Sequence, residues 1–380
     1  MAIRKIDEYY MKRALSLAWR GTETSPNPRV GCVLVKGDGD GARVVGEGYH
    51  AKYGSPHAEV EALFDAAAQC EDVRGATAYI TLEPCSHFGK TPPCAPRLVE
   101  EGITRVVAGS EDPNPKVKGG GFGILREARI EVAAPCLERE CKWLNRGFFR
   151  YNTLGRPWIT LKAAASLDGK MALAGETLVS DIRSSLRGIT GERALDWSHL
   201  MRADHDAILV GVGTVLSDDP ELTTRRTCGK SPLRIILDTR LSMPSSARVL
   251  KSGCLLLTCG GAAADKKKAL EDAGAEVYSL PPDKSGRIDL RAALSVIAER
   301  GVRSLMVEGG PTVLSAFMEA ELCDSLALFI APSVMGEGPG LGDGLRFDFM
   351  ENVVKLREVC VRRMGADVLV EGIFRCSPAL

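Results

Sequence analysis

The stretch TLEPCSHFGKTPPC, residues 81–94, places two cysteines in a loop rich in proline and glycine. Eight residues separate Cys85 from Cys94, and the loop connects an apolar segment typical of a strand to one typical of a helix. A packed core gains nothing from this composition, and a short connection between elements rarely needs two thiols. The stretch therefore predicts a metal site at the end of a strand in an α/β domain.

A histidine and a glutamate stand upstream, in GSPHAEVEAL, at the predicted start of a helix. Zinc-dependent nucleobase deaminases carry H-x-E followed by P-C-x-x-C, in which the histidine and both cysteines bind zinc and the glutamate transfers protons. HAE and EPC match this signature, so His57, Cys85 and Cys94 are candidate zinc ligands and Glu59 is the candidate catalytic residue. The spacing departs from it, because eight residues rather than two separate the cysteines. His87 is a rival ligand, but its place in the loop favours contact with a substrate.

Catalysis at a metal explains why these residue types occur together. Three protein ligands leave one zinc position open for water, as in catalytic sites. Zinc lowers the pKa of that water to ~7, and Glu59 can move its proton to a departing amine. Taken singly, HAE would more often be an ordinary first turn of a helix, and a cysteine pair would more often serve packing or structural zinc binding. The combination, in this order, favours hydrolytic deamination.

Composition and charge exclude several classes of protein. The chain has 380 residues, 45% hydrophobic and 26% charged, as in a globular protein of two or three domains. Its net charge of +0 gives no general attraction for nucleic acids or anionic membranes. No stretch approaches the ~18 apolar residues of a membrane span, and the N-terminal segment lacks a secretory signal. We therefore expect a cytoplasmic protein with no nucleic-acid or membrane partner.

The twelve cysteines are expected to be free thiols or metal ligands, because disulfides are rare in the cytosol. Three of them lie within apolar segments and are expected to be buried, small hydrophobic residues: Cys32, Cys254 and Cys323.

Alternating strand and helix patterns predict two α/β domains, residues 1–150 and 151–380. The first begins with an amphipathic helix whose apolar positions are Ile6, Tyr9, Tyr10, Ala14, Leu17 and Ala18. A hairpin follows, formed by VGCVLVK and RVVGEGYH. The second domain contains a mostly parallel, covered sheet, whose predicted strands are WITLKAAAS, HDAILVG, LRIILD, CLLLTC, SLMVEGG and SLALFIAPSV.

The second domain carries a weaker functional signal. No dinucleotide-binding fingerprint opens a βαβ unit there, and the G-x-G-x-x-A match in VVGEGYHA lies in the hairpin of the first domain, where we interpret it as chance. SLMVEGGPTVLSAFMEA predicts a strand, two glycines and a helix that begins at Pro311, an arrangement that can bind phosphate. A plain structural turn would have much the same sequence, so both interpretations stay open.

Several longer motifs resemble a known family of enzymes. SPNPRVGCVLV, GEGYH, PHAEVEAL, TLEPCSHFGKTPPC and DPNPKVKGGG are similar to the deaminase half of the bifunctional riboflavin-biosynthesis enzymes of the RibD type. LKAAASLDGK, GVGTVLSDDPELTTR, ILDTR and VEGGPTVLSAF are similar to the reductase half. The resemblance covers nearly the whole chain, and in this family a long spacing between the two cysteines is the rule. It implies an N-terminal cytidine-deaminase-like three-layer α/β/α domain and a C-terminal dihydrofolate-reductase-like α/β domain.

The resemblance also implies two consecutive reactions and two cofactors, Zn²⁺ and NADPH. The first reaction is hydrolytic deamination of 2,5-diamino-6-(5-phosphoribosylamino)pyrimidin-4(3H)-one, and the second reduces the ribosyl chain to ribityl. In the deaminase, the resemblance places the phosphorylated pyrimidine near Asn27, His50, His87, Lys90 and Asn114.

For the reductase, the resemblance places the sugar-phosphate substrate near Lys162, Arg202, Leu222, Arg225 and Glu308. It places NADPH near Ala164, Thr214, Asp218, Thr239, Gly310, Pro311, Thr312, Val313, Leu314, Ser315 and Ala316. One segment departs from the family pattern: residues 178–188 appear as an insertion, with Gly188 where the family has an aromatic residue. We expect reductase activity to survive with an altered loop.

Two other functions compete with this prediction. One is a nucleoside or nucleic-acid deaminase fused to an unrelated nucleotide-binding domain, which the neutral charge and the lack of a basic–aromatic tract disfavour. The other is a structural zinc module joined to a binding domain, in which Glu59 would have no part in activity. The protein is also expected to form a homo-oligomer.

Overall fold

The computed structural model describes residues 3–115, 117–174, 188–260 and 264–380. The chain forms two compact units, residues 1–156 and 157–379. The predicted boundary after residue 150 falls inside the helix Arg146–Leu154 of the first unit. Gly155, which follows this helix, has a left-handed conformation with φ 69° and ends it. The insertion predicted around 178–188 lies outside the described residues, apart from Gly188.

The first unit alternates helices and strands as predicted. Its elements are α1 (Lys5–Ala18), β1 (Gly31–Lys36), β2 (Arg43–Tyr49), α2 (Ala58–Ala68), β3 (Thr77–Ile80), α3 (Cys94–Glu100), β4 (Arg105–Ala108), α4 (Gly120–Glu127), β5 (Glu131–Ala133), α5 (Glu138–Leu144) and α6 (Arg146–Leu154).

These strands form one sheet in the order β2-β1-β3-β4-β5, in which β1 runs antiparallel to both neighbours and β3, β4 and β5 are parallel. Side chains alternate between the two faces of the sheet. Cys32 and Leu34 pack with α2, α3 and α4, whereas Val33 and Val35 pack with α1 and α5. The predicted three-layer α/β/α arrangement is confirmed.

Helix α2 lies directly against β2 because two glycines of that strand leave room for it. A β-carbon at Gly46 or Gly48 would overlap the backbone of Ala62. The glycines of VVGEGYHA therefore have a packing role, which agrees with the interpretation that the nucleotide-binding pattern arose by chance. The close approach fixes the start of α2, where His57 and Glu59 stand.

A buried ion pair fastens α1 to the sheet. Asp7 is 0% exposed and accepts hydrogen bonds from two guanidinium nitrogens of Arg105 on β4, at 2.7 and 3.0 Å, and from the hydroxyl of Tyr79 on β3, at 3.1 Å. Burial alone would raise the pKa of Asp7, but the hydrogen bonds from Arg105 and from the backbone of Arg4 lower it to about 2. The amphipathic prediction for α1 was wrong at Tyr9, which is 61% exposed.

The second unit contains the larger sheet. Its elements are β6 (Trp158–Ala165), α7 (Glu192–Asp204), β7 (Ala207–Gly211), α8 (Val212–Asp218), β8 (Leu233–Leu237), β9 (Cys254–Cys259), α9 (Ala264–Asp272), β10 (Ala275–Leu280), α10 (Leu290–Glu299), β11 (Ser304–Val307), α11 (Pro311–Glu319), β12 (Ser325–Ile330), β13 (Leu356–Met364) and β14 (Asp367–Phe374). Among the helices of the described residues, none is long and apolar enough to cross a membrane.

The order of the strands in this sheet is β10-β9-β8-β7-β11-β6-β12-β14-β13. The strands from β10 to β12 are parallel, as predicted, and apolar clusters cover both faces of the sheet. The C-terminal hairpin of β14 and β13 adds two antiparallel strands that the sequence did not predict. Strand β13, LREVCVRRM, is exposed along most of its length, so it lacks the apolar alternation that marks a half-buried strand.

Replacing Asp7 with asparagine should destabilise the first unit by about 3 kcal/mol, because the guanidinium of Arg105 loses its main buried partner. Hydrogen exchange of the β3 and β4 amides measures this change separately from the second unit. The native pKa of Asp7 lies below its ordinary value of 3.8, so its contribution is complete above that pH and is lost as the pH falls toward 2.

The difference in the free energy of unfolding of the first unit between wild type and Asp7→Asn should therefore shrink as the pH falls from 4 to 2. Asp38→Asn is the matched control, since Asp38 also pairs with Arg4 but its side chain is 85% exposed. Equal destabilisation by both substitutions would contradict the role given to Asp7.

Candidate functional site

The candidate metal ligands of the first unit come from two separate segments that meet at one point. His57 is the N-cap residue of α2, Cys85 lies in the loop between β3 and α3, and Cys94 is the first residue of α3. The Nδ1 atom of His57 lies 3.5 Å from Sγ of Cys85 and 3.4 Å from Sγ of Cys94. All three ligand atoms lie within 4.8 Å of one another.

This donor set fits zinc. At the usual Zn–S and Zn–N lengths, ligand atoms at tetrahedral angles stand about 3.6 Å apart for a sulfur–nitrogen pair, close to the two observed distances. Two sulfurs and one imidazole nitrogen leave a fourth position for water. The backbone N–H of Cys94 also donates a hydrogen bond to Sγ of Cys85, at 3.3 Å, which favours a thiolate there.

The hydrogen bond between the two thiols lowers the pKa of Cys85 to about 4 and raises that of Cys94. One thiolate and one thiol thus face His57, and a metal ion that binds both sulfurs must displace the remaining proton. Glu59 stands in the first turn of α2 and is only 4% exposed. Burial raises the pKa of Glu59, as expected of a carboxyl group that gains and loses protons during a reaction.

A cavity of about 250 Å³ opens beside this cluster, and the polar residues predicted to hold the deaminase substrate line it. They are Asn27, His50, His87, Lys90 and Asn114. The structure therefore brings together, around one cavity, the candidate ligands His57 and Cys85, the candidate catalytic Glu59 and all five predicted substrate residues. The roles of these residues in binding stay predictions.

His50 and Asn27 form a pair in the cavity wall. Nδ1 of His50 lies 3.0 Å from the carbonyl oxygen of Pro56 and therefore carries the proton, while Nε2 lies 3.3 Å from the amide nitrogen of Asn27. Burial lowers the pKa of His50, so the imidazole is neutral. The amide oxygen of Asn27 stays available to accept a hydrogen bond from a ligand.

Lys90 and His87 lie on the exposed part of the loop. The ammonium of Lys90 stands 4.0 Å from the centre of the Tyr53 ring, which also lines the cavity, so a cation–π contact holds the charge at the cavity edge. His87 lines the cavity and does not belong to the group of possible metal ligands among the described residues.

Sequence reasoning missed two residues that hold the cavity walls in place. Glu83, just before Cys85, accepts hydrogen bonds from the backbone N–H groups of Asp112, Gly119 and Phe122, at 3.1 to 3.2 Å. It thereby caps the start of α4 and fixes the loop that carries Asn114. Asn145 exchanges two hydrogen bonds with the backbone of Arg29, close to Asn27. The partners are distant in sequence, so no local pattern marks either residue.

In the second unit, residues predicted for the cofactor lie at one edge of the sheet. Thr239 follows β8, Thr214 lies on the helix after β7, Gly310 follows β11, and Ala164 lies near the end of β6. These four parallel strands are neighbours in the order β8-β7-β11-β6. Carboxyl ends of parallel strands meet at the same edge, where open α/β sheets bind ligands.

The segment from Gly310 to Ala316 fits a phosphate group only in part. Space is open around Gly310, and Pro311 begins α11, whose first N–H groups have no partner within the helix. The side chain of Leu314, however, is buried in the core, and the hydroxyl of Ser315 donates a hydrogen bond to the carbonyl oxygen of Asp343. These two residues therefore face away from a ligand at the sheet edge.

A buried carboxylate organises the residues predicted for the reductase substrate. Glu308, 14% exposed, accepts a hydrogen bond from Nζ of Lys162 at 2.8 Å and two from the guanidinium of Arg202 at 2.8 and 3.0 Å. Burial would raise the pKa of Glu308, but the charges of Arg202 and Lys162 lower it to about 2. The side chain of Leu222 packs in the core, so its backbone is the part that can contact a ligand.

His199 is a neighbour of this cluster that the sequence did not single out. It lies on α7, one turn before Arg202, and is 3% exposed. Burial and the charges of Arg202 and Arg225 lower its pKa to about 4, so the imidazole is neutral. A lone histidine on a helix carries no motif, which is why only the fold reveals its surroundings.

Comparison with known proteins agrees with both units. Residues 4–110 match the model of the cytidine and deoxycytidylate deaminase zinc-binding region, and residues 157–370 match the model of the RibD C-terminal domain. The chain is 42% identical to the riboflavin biosynthesis protein RibD of Aquifex aeolicus, over 97% of this chain and 98% of that one. It is 39% identical to RibD of Escherichia coli, over 95% and 100%. The chain belongs to the RibD family.

Solved structures agree with the assignment to RibD. Acinetobacter baumannii RibD is similar with a TM-score of 0.83 and 34% identity, over 97% of this chain and 99% of that one. A diaminohydroxyphosphoribosylaminopyrimidine deaminase/5-amino-6-(5-phosphoribosylamino)uracil reductase from Thermotoga maritima also gives 0.83, with 36% identity and the same coverage. The predicted fold class and the predicted bifunctional deaminase/reductase of riboflavin biosynthesis are confirmed. The first unit contains the zinc-binding deaminase, and the second contains a reductase of the NADPH-dependent type.

Glu83→Gln should lower kcat/KM for deamination by about 10- to 100-fold, because an amide NH₂ in place of an acceptor oxygen releases the loop that carries Asn114. Zinc content should stay at the wild-type value, since the hydrogen bonds of the Glu83 side chain within the described residues go to Asp112, Gly119 and Phe122 and not to a candidate ligand. Steady-state ammonia release and metal analysis measure the two effects. Glu111→Gln, an exposed carboxylate on the same loop, is the matched control, and equal kinetics of the two variants would exclude the positioning role.

Proposed function

We propose that the first unit removes the ring amine of 2,5-diamino-6-(5-phosphoribosylamino)pyrimidin-4(3H)-one by zinc-dependent hydrolysis. The observation that carries this proposal is the position of one imidazole nitrogen 3.4 and 3.5 Å from two thiols, beside a buried glutamate on the same cavity. His57, Cys85 and Cys94 hold the zinc ion, which when bound supplies a water molecule with a pKa of ~7. Glu59 takes the proton of the attacking water and delivers it to the departing amine, so ammonia leaves.

The polar lining of the cavity orients the pyrimidine and its phosphate. The neutral imidazole of His50 holds the amide of Asn27, whose oxygen accepts a hydrogen bond from the amino edge of the ring. Asn114 contacts the ring edge from the opposite loop, and His87 covers the ligand. Lys90, held by the Tyr53 ring, binds the phosphate as a point charge.

For the second unit, we propose reduction of the deaminated product, in which NADPH supplies the hydride. The cofactor is held at the sheet edge by Ala164, Thr214, Asp218, Thr239 and the start of α11 from Gly310, whereas Leu314 and Ser315 face away from it. Lys162, Arg202, Arg225, Glu308 and the backbone of Leu222 hold the sugar phosphate. The open space at Gly310 and the N–H groups at the start of α11 support a phosphate of the cofactor there.

We further propose a cytoplasmic homo-oligomer. None of the twelve cysteines, all of which lie in the described residues, forms a disulfide, which suits a reducing compartment. The exposed edge strand β13, with Val359 54% and Val361 63% exposed, offers a surface for a second copy of the chain. The mass of the purified protein from light scattering distinguishes an oligomer from a monomer.

Glu59→Gln should abolish deamination, by at least about 10²-fold, while zinc remains bound in the wild-type ratio. The physical reason is that glutamine cannot carry the proton and that Glu59 is not among the proposed ligands. Ammonia release and metal analysis on the full-length protein measure both effects. Glu61→Gln, in the same first turn of α2, is the matched control for the loss of a negative charge at the helix start. A variant Glu59→Gln with wild-type deamination would refute the assignment.

The chain should bind NADPH in spite of Gly188 and the extra residues expected at 178–188, with a dissociation constant below roughly 1 mM, the upper end of usual substrate constants. A calorimetric titration of the protein with NADPH measures this dissociation constant. Gly310→Val should weaken binding at least tenfold because the side chain enters open space next to the proposed phosphate site. No binding of NADPH by the wild type at millimolar concentration would refute the proposal for the second unit.

A further inference from the structure

The imidazole of His57 has a second contact, on the side opposite the thiols. Its Nε2 atom lies 3.3 Å from the hydroxyl oxygen of Thr91, while its Nδ1 atom faces Cys85 and Cys94. Thr91 is half-buried and lines the cavity. A neutral imidazole carries one proton, and the nitrogen without it is the one that can bind a metal ion. The hydroxyl of Thr91 therefore stands where a hydrogen bond to Nε2 determines which nitrogen of His57 is free to bind a metal ion.

We propose that Thr91 is a positioning residue for the zinc site: its hydroxyl oxygen accepts the Nε2–H of His57 and so keeps Nδ1 unprotonated and directed at the two sulfurs. The proposal rests on the assignment of His57, Cys85 and Cys94 as the zinc ligands. Histidines that bind metals commonly donate their other N–H to an acceptor, and loss of that acceptor typically weakens metal binding by 10- to 100-fold.

The position of Thr91 in the chain gives this contact a second consequence. Thr91 directly follows Lys90, and its carbonyl oxygen accepts the backbone N–H of Gly89 at 3.2 Å, which closes a tight turn at the tip of the loop. One residue thus fastens the segment that carries Lys90 to a zinc ligand. Zinc binding and the placement of the phosphate-binding lysine are coupled through Thr91.

The contact also explains why the loop is longer than the two-residue spacing of the deaminase signature. With two intervening residues, the chain between the cysteines has no room to return to the far side of the imidazole. With eight, the chain leaves Cys85, turns at Gly89, and passes Nε2 of His57 at Thr91 before it reaches Cys94. The extra residues therefore supply both a substrate contact and a support for the ligand.

The test compares full-length wild type with Thr91→Val and Thr91→Ser. Valine has nearly the shape of threonine but no hydroxyl, whereas serine keeps the hydroxyl and loses the methyl group. Competition with a chromophoric chelator measures the zinc dissociation constant. Thr91→Val should bind zinc 10- to 100-fold more weakly than wild type, and Thr91→Ser should stay within about threefold. Equal affinity of Thr91→Val and wild type, or equal loss in both variants, would overturn the proposal.

A spectroscopic measurement separates positioning from general destabilisation. With Co²⁺ as the probe at saturating concentration, Thr91→Val should shift the visible ligand-field bands, while Thr91→Ser should keep the wild-type spectrum. Unchanged bands in Thr91→Val would count against the proposal. If wild type itself bound no stoichiometric zinc, the proposed deaminase site would fail; if wild type bound zinc and both measurements on Thr91→Val matched it, only the role of Thr91 would fail.

Discussion

The candidate zinc site depends on the direct contact between the backbones of α2 and β2. Gly46 and Gly48 let the helix backbone lie directly against the strand, where a β-carbon at either position would overlap Ala62. His57 and Glu59 stand at the start of this helix, and Cys85 lies in the loop that follows β3. The starts of two helices, α2 and α3, thus hold His57 and Cys94, and the loop that follows β3 holds Cys85. A site assembled from loops alone would lose conformational entropy on binding and hold its metal less well.

The loop between the cysteines performs a second task once its ends are fixed. Cys85 and Cys94 stand at the two ends of this segment. Metal binding and the hydrogen bond from the Ala95 N–H to the Cys85 carbonyl offset the conformational entropy that is lost when the loop closes. Between them, the loop presents Lys90 on the face of Tyr53 and Thr91 against His57. The separation of the cysteines is therefore a consequence of two contacts that a shorter loop has no length to make.

The sequence predicted those features that depend on residues close to one another in the chain. His57, Glu59 and Cys85 were predicted because a metal site restricts residue types at short spacing, and the parallel strands because apolar runs are local. It did not predict Glu83, whose backbone partners are far along the chain. The hairpin β13–β14 was missed for a related reason: β13 lies at an exposed sheet edge, where pairing with β14 rather than an apolar face holds the strand.

The net charge of the residues proposed to bind the sugar phosphate matches that of a phosphate group once the carboxylate that pairs with two of the cations is included. Lys162 and Arg202 both bind Glu308, so the three groups together carry one positive charge. Arg225 is exposed, and among the described residues no hydrogen bond or ion pair involves its side chain. Its addition brings the group to two positive charges, the complement of a phosphate dianion. His199 adds none, because burial and the same guanidinium groups hold it neutral. Arg225 is thus the cation with its charge still available to a phosphate, while Glu308 keeps the other two in place.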